Sequence, residues 1–256
     1  MPEAVEDRQR LSAIAHATSL MWGPISQDTA DGLLARLGSL GISESSRVLD
    51  LGCGPAELLR RVCEATGASG IGVDSSPFAI EEARRRLATS PVRDRVELRI
   101  GDATVLTPDG TNDLVICIGP GWTTGGWVPM TRWTSAFVRP GGLLLLGEAA
   151  WRGVPREDSL ATLEMTSDEH ILGADVGRSV SEAGAKVAWS HRSSLDEWGA
   201  YADAYRSAMR HFVLDHPDDP ITPAVCSRSE AGWVHYELLH ELLDFVIVLA
   251  QRASRA

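Results

Sequence analysis

The sequence predicts an α/β protein: a doubly wound, mostly parallel seven-stranded sheet with a helical cap. Three observations predict it. Strand-length apolar runs recur between residues 47 and 148, and segments of helical spacing separate several of them. Clusters of Gly, Asp and Pro close the runs, as at Gly52-Cys53-Gly54-Pro55 and Arg139-Pro140-Gly141-Gly142. Such alternation specifies parallel strands with helices on both faces. The last hundred residues then break the rhythm with aromatic-rich helical segments before one more β-rich run.

In chain order, residues 9–37 read as one or two helices interrupted at Met21-Trp22-Gly23-Pro24. Strands are predicted at 47–50, 70–74, 96–100 and 113–118, and a fifth at 143–148. Helices are predicted at about 56–65 and 77–88. The run 113–118 is apolar throughout, which suits a strand buried on both faces. Beyond it, 167–182 reads as helix and 186–190 as a sixth strand. In 196–214, Trp198, Tyr201, Tyr205, Met209 and Phe212 fall at helical spacing. A loop at 216–223, a helix at 229–242 and a closing strand at 245–250 complete the chain. The expected organisation is a cap segment at 1–44, a cofactor-binding core at 45–193, a helical insertion serving as substrate lid at 194–242, and a closing strand and tail at 243–256.

Composition narrows the function classes. Hydrophobic residues at 44% and charged residues at 23% are those of an ordinary globular chain. A net charge of −11 repels polyanions, and no basic patch with interleaved aromatics is present, so nucleic acid is not the expected partner. Lys186 is the only lysine. No apolar run spans a membrane and no signal core precedes the first helix, so a cytoplasmic protein is expected. Cys53, Cys63, Cys117 and Cys226 lack metal-site spacing, and reduced thiols without a metal are the expectation. The oligomeric state is not legible.

The chemistry-bearing signal is Val48–Leu58, VLDLGCGPAEL. A strand ends in Asp50, Gly52 and Gly54 allow a turn that a ligand can approach closely, and a helix opens with free N–H groups. Asp74 follows Gly54 by twenty residues, at a strand end where a carboxylate accepts from ribose hydroxyls. Gly101-Asp102 follows the third strand, where a carboxylate and the backbone beside Ala103 can read an adenine amino group. Glu57 stands where a dinucleotide fingerprint places Gly or Ala, which argues against a nicotinamide enzyme.

These segments together resemble the class I S-adenosylmethionine-dependent methyltransferases. The matching pieces are VLDLGCGPAEL, GVDSSP at Gly72–Pro77, GDA at Gly101–Ala103, DLVICIGPGW at Asp113–Trp122 and RPGGLLLLGE at Arg139–Glu148. Ala56 departs from the pattern, standing where a third glycine is common. The resemblance covers residues 45–150 firmly, and GEAAWR at Gly147–Arg152 is similar to a segment of a bacterial small-molecule subgroup. It implies a Rossmann-like fold and S-adenosylmethionine as cofactor. It further implies that Asp50, Gly52, Cys53 and Gly54 line the methionine part, Asp74 and Ser75 the ribose, Asp102 and Ala103 the adenine, and Gly119 the floor beneath the sulfonium.

The implied reaction is methyl transfer to O, N or C of a small metabolite. Such in-line displacement needs proximity and at most one general base. Glu148, just past the fifth strand, is the candidate base, set against a paired strand-end carboxylate. His16, His170 and His191 are weaker candidates. Trp122 and Trp151, with Tyr201 and Tyr205 of the lid helix, are candidates for holding substrate, although packing competes for both tyrosines. Non-methyl chemistry on the same cofactor, and a non-catalytic cofactor-binding module, remain as alternatives.

Overall fold

The computed structural model describes residues 5–254, and the side chains of these except Trp122 and 230–238. Two helices, α1 (Val5–Ala15) and α2 (Gln27–Ser39), precede the sheet. Alternation then runs β1 (Arg47–Leu51), α3 (Glu57–Thr66), β2 (Ser69–Asp74), α4 (Pro77–Leu87), β3 (Val96–Ile100), β4 (Asn112–Ile118). Next come α5 (Gly121–Thr124), α6 (Trp127–Phe137), β5 (Val138–Trp151), α7 (Glu157–Leu163), α8 (Val176–Glu182) and β6 (Ala185–Arg192). The helices α9 (Leu195–Asp215) and α10 (Thr222–Leu242) separate β6 from β7 (Leu243–Arg252).

The strand order is β3-β2-β1-β4-β5-β7-β6. The first five strands are mutually parallel, and β7 runs antiparallel between β5 and β6. Order reverses between β1 and β4, the switch point at whose carboxyl edge open α/β sheets bind ligands.

The period-two pleat explains the layers. On one face Leu114 and Ile116 of β4, Leu143 and Leu145 of β5, and Phe245, Ile247 and Leu249 of β7 pack with Leu33, Leu59 and Ile80 of the helices α2, α3 and α4. Their neighbours Val115 and Cys117, Leu144 and Leu146, Val246 and Val248 point the other way, onto Trp127, Met130, Phe137, Val176 and Val180 of α6 and α8. Continuous apolar runs are what a sheet covered on both sides requires. A separate small core joins Leu11 and Ala15 of α1, Met209 of α9 and Val225 of α10 into a cap.

Several elements differ from expectation: α6 and α7 were not predicted, and β5 runs longer than 143–148 at both ends. The helix expected at 167–182 begins only at Gly173, as a 3-10 turn leading into α8. The residues before it serve β5 instead: Trp151 N–H donates to the Ile171 carbonyl at 2.8 Å, and Trp151 bridges Leu172 in parallel. The last long helix starts at Thr222 rather than 229, with Pro223 in its first turn, where a missing N–H is harmless.

Candidate functional site

The loops that follow β1, β2, β3 and β4 carry the predicted cofactor residues along the carboxyl edge of the sheet. After β1 the chain turns through Gly52 (φ +74°) and Gly54 (φ +52°), and Gly52 and Cys53 donate their N–H groups to the Val73 carbonyl at 2.8 and 3.1 Å. The turn is thereby fastened to the end of β2. Asp74 completes the fastening: its Oδ2 accepts from Gly54 N–H and its Oδ1 from Ser76 N–H, both at 2.8 Å. Burial raises its pKa, and those two donors pull it back. Each oxygen keeps a lone pair for a further donor. Ser75 is exposed, and Gln9 of α1 donates to its carbonyl at 3.1 Å.

Asp50 lies beneath this turn, 4% exposed, and no described residue donates to its carboxylate. Burial first, and then the charge of Asp74, push its pKa up to about 8. The Cys53 thiol is likewise buried and pushed far upward by burial. After β3, the exposed Asp102 takes the N–H and hydroxyl of Thr104 on Oδ1, at 2.8 and 2.7 Å, which holds its pKa low. Ala103 beside it is half-buried. Gly119, after β4, has φ +89°, and no atom lies within 4 Å of the place its Cβ would take. The floor at this point is bare backbone.

Glu148 stands on β5 next to that floor. Its Oε2 accepts from Gly121 N–H at 2.6 Å and its Oε1 from the N–H of Ala149 at 2.8 Å. A Cβ on Gly121 would stand 2.5 Å from Oε2, so only glycine admits the contact. The carboxylate therefore ties β5 to the loop that follows β4.

A family model for a methyltransferase domain matches residues 48–142, the stretch that carries these loops. An S-adenosylmethionine-dependent methyltransferase from Geobacter sulfurreducens, solved with S-adenosyl-L-homocysteine, shares 27% identity; the likeness covers 94% of this chain and 97% of that one, with a TM-score of 0.86. A second, from Thiobacillus denitrificans and also in complex with S-adenosyl-L-homocysteine, shares 26% identity over 96% and 98% of the chains, with a TM-score of 0.85. The chain belongs to the class I S-adenosylmethionine-dependent methyltransferases. The uncharacterised protein YjhP of Escherichia coli is 28% identical to this methyltransferase over 86% of this chain and 88% of its own.

The methyltransferase distributes its expected substrate residues unevenly. Trp151 is 1% exposed and donates its indole N–H to the Ser167 carbonyl at 2.8 Å, packed with Leu160 and Leu243 and edge-on to His170. It is fully buried in a small core with Leu160 and Leu243. The side chain of Trp122 falls outside the described residues. Tyr201 and Tyr205 come together with His16 of the segment after α1. His16 gives its Nδ1 to the Ser12 carbonyl at 2.7 Å, so its Nε2, 2.8 Å from the Tyr201 hydroxyl, accepts that proton. Burial lowers the His16 pKa to about 4. Arg228 donates to the Tyr205 hydroxyl at 2.9 Å.

Sequence reasoning missed the residue that links these groups to the cofactor loops. Trp22 stacks on His16 with ring centroids 4.9 Å apart, and its Cε3 lies 3.5 Å from where a Cβ of Gly54 would stand. Its place in a helix-breaking MWGP segment was the only signal. Also missed was Arg86 of α4, which donates to the Ser19 and Leu20 carbonyls at 3.0 and 2.7 Å and faces the buried Glu57 at 3.5 Å. This arginine holds the Trp22 segment against α3 and α4.

Proposed function

We propose that the chain transfers the methyl group of S-adenosylmethionine to an oxygen, nitrogen or carbon of a small molecule. The observation that carries the reading is the placement along one sheet edge of a bare-backbone turn, a strand-end carboxylate with spare lone pairs, and an unobstructed glycine. These features fit the cofactor's parts. The Gly52–Gly54 turn with Asp50 and Cys53 accommodates the methionine portion, Asp74 and Ser75 the ribose, and Asp102 and Ala103 the adenine. Gly119 leaves room beneath the sulfonium. When bound, the sulfonium supplies an activated methyl group and departs as a neutral thioether. The protein's work is then to orient the acceptor in line and exclude competing water. The acid-rich surface and the four free cysteines fit a small-molecule enzyme of the cytoplasm. No helix among the described residues is long and apolar enough to cross a membrane.

Calorimetry with S-adenosylhomocysteine tests the cofactor assignment. Asp74→Ala is expected to weaken binding by about 2–4 kcal/mol, since hydrogen bonds to a charged group are worth roughly 1.5–3 each. Unchanged affinity would remove Asp74 from the site.

Glu148 admits two roles that kinetics separates. As general base, its replacement by Gln lowers turnover about 10²–10⁴-fold with cofactor affinity intact. Its two backbone partners favour positioning instead, in which case Glu148→Gln alters cofactor affinity and turnover together. A pH–rate profile that keeps its acid limb in the variant supports positioning.

A further inference from the structure

The chain between α1 and α2 forms a strap along the carboxyl edge of the sheet. At its start, Gln9 of α1 donates to the Ser75 carbonyl beyond β2 at 3.1 Å. Ser19 and Leu20 give their carbonyls to Arg86 of α4. Trp22 then reaches the turn after β1, with Cε3 and Cδ2 at 3.5 and 3.8 Å from the Gly54 Cβ position. The Cβ position of Gly23 is 3.9 Å from the Phe245 ring at the start of β7. The Pro24 carbonyl accepts from the Ser193 hydroxyl, and Ser26 N–H donates to Glu197 at 2.9 Å. The strap is thus pinned on both sides of Trp22. Pro120, from the loop after β4, stands 3.0 Å from the Cβ position of Gly52. A ligand laid along the turn therefore has ring carbon beside it at both glycines.

The turn itself has few donors left to offer. Gly52 and Cys53 give their N–H groups to Val73, Gly54 gives its own to Asp74, and Ala56 donates to the Cys53 carbonyl at 2.8 Å. Residue 55 is proline and has no N–H. The turn meets a ligand with bare backbone and carbonyl oxygen, so methylene groups laid on it need an apolar wall on their open side. We propose that Trp22 is a cofactor-binding residue whose ring covers the methylenes of the amino-acid tail of S-adenosylmethionine against the Gly52–Gly54 turn. The inference rests on the methyl-transfer reading and adds to it a contact from outside the sheet's own loops. The ring is held in place by the pinned strap and by His16, which stacks on it with planes 19° apart. Fixing the tail also fixes the direction in which the sulfonium presents its methyl group. Ribose and adenine are assigned to Asp74 and Asp102, so their binding owes nothing to this ring.

Two ligands that differ in the tail test this: S-adenosylhomocysteine, and methylthioadenosine, which keeps the nucleoside and sulfur but lacks the amino acid. Each is titrated by calorimetry into the full chain and into Trp22→Ala and Trp22→Phe. Trp22→Ala should bind S-adenosylhomocysteine about tenfold more weakly, the loss expected when roughly two buried methylenes return to water. Methylthioadenosine should bind that variant within about twofold of the parent, since it has no tail to uncover. Trp22→Phe keeps a ring and should hold S-adenosylhomocysteine within about threefold of the parent. A purely structural role would weaken both ligands together, so their divergence is the readout. The parent chain gives a second measurement that does not depend on Trp22→Ala folding. A nuclear Overhauser contact is expected between the Hε3 proton of Trp22, assigned among the eight tryptophans by its loss in Trp22→Phe, and the homocysteine methylenes. Equal weakening of both ligands, unchanged S-adenosylhomocysteine affinity in Trp22→Ala, or an absent Overhauser contact overturns the proposal. Failure of the parent chain to bind S-adenosylhomocysteine instead overturns the methyl-transfer reading beneath it.

Discussion

Asp50 and Ala56 show how two residues of one turn carry different physical burdens. A carboxyl with pKa near 8 and no donor from a described residue is protonated at neutral pH. A cationic ligand group placed near it would favour the ionised form, so binding would release a proton. The sign follows: the free protein's pKa lies above the bound one, and affinity for S-adenosylhomocysteine should rise as pH increases toward 8, then level. Calorimetry at pH 6.5 in two buffers of different ionisation enthalpy would show proton release; a buffer-independent heat would dismiss the coupling. Ala56 caps α3 at φ +53°, ψ +24°, a left-handed conformation that costs an alanine about 1–2 kcal/mol. The sequence showed that alanine replaces a common glycine, but not why glycine is common there: the backbone needs a positive φ to turn the N-terminus of α3 toward the site. Both conserved the turn's legibility, because Gly52, Gly54 and Asp74 announce themselves by spacing. Trp151 was legible only as an aromatic at the edge of a strand. Whether it walled a pocket or a core depended on Ser167 and Leu243, which pattern alone cannot bring to it.

At the scale of elements, the junction of α2, β6 and α9 turns on Glu197. Ser194 and Glu197 form a capping box at the start of α9. Burial alone would raise the Glu197 pKa, but N–H donors from Ser26 and Ser194, the Thr29 hydroxyl and His191 outweigh it and hold the value at about 2. A carboxylate depressed in the folded state stabilises the fold above its unfolded pKa of about 4.3 and loses that contribution as pH falls toward 2. Glu197→Gln should therefore cost about 2–3 kcal/mol in urea unfolding at pH 7, a cost that shrinks between pH 4 and 2. An equal cost at both pH values would assign its effect to packing. The sequence predicted α9 well, since its aromatics repeat at three and four. It did not reveal α6, although Trp127, Met130, Thr134 and Phe137 hold the same spacing. Their burial against β5 comes from long-range packing, which spacing alone does not show.

For the whole molecule, the strand rhythm made the parallel half of the sheet readable, because each strand there is closed by its own turn chemistry. The cap was harder to read: α1 lies almost two hundred residues from α9 in sequence, and only the folded chain joins Leu11 to Met209. The order of the last strands sets a condition on stability. Since β7 is the partner of both β5 and β6, a chain stopped at residue 242 should lose two strands, not one. Circular dichroism should show it unable to unfold cooperatively, and a sharp transition would mean that β6 finds β5 directly. Time enters here as well. During synthesis the edge of β5, with its four consecutive leucines, leaves the ribosome about ninety residues before β7. At 5–20 residues per second that edge waits on the order of 5–20 s for its neighbour. A long apolar edge without a partner templates association with other chains. The roughly ninety residues that separate β5 from β7 thus predict that yield on overexpression rises with the supply of chaperones.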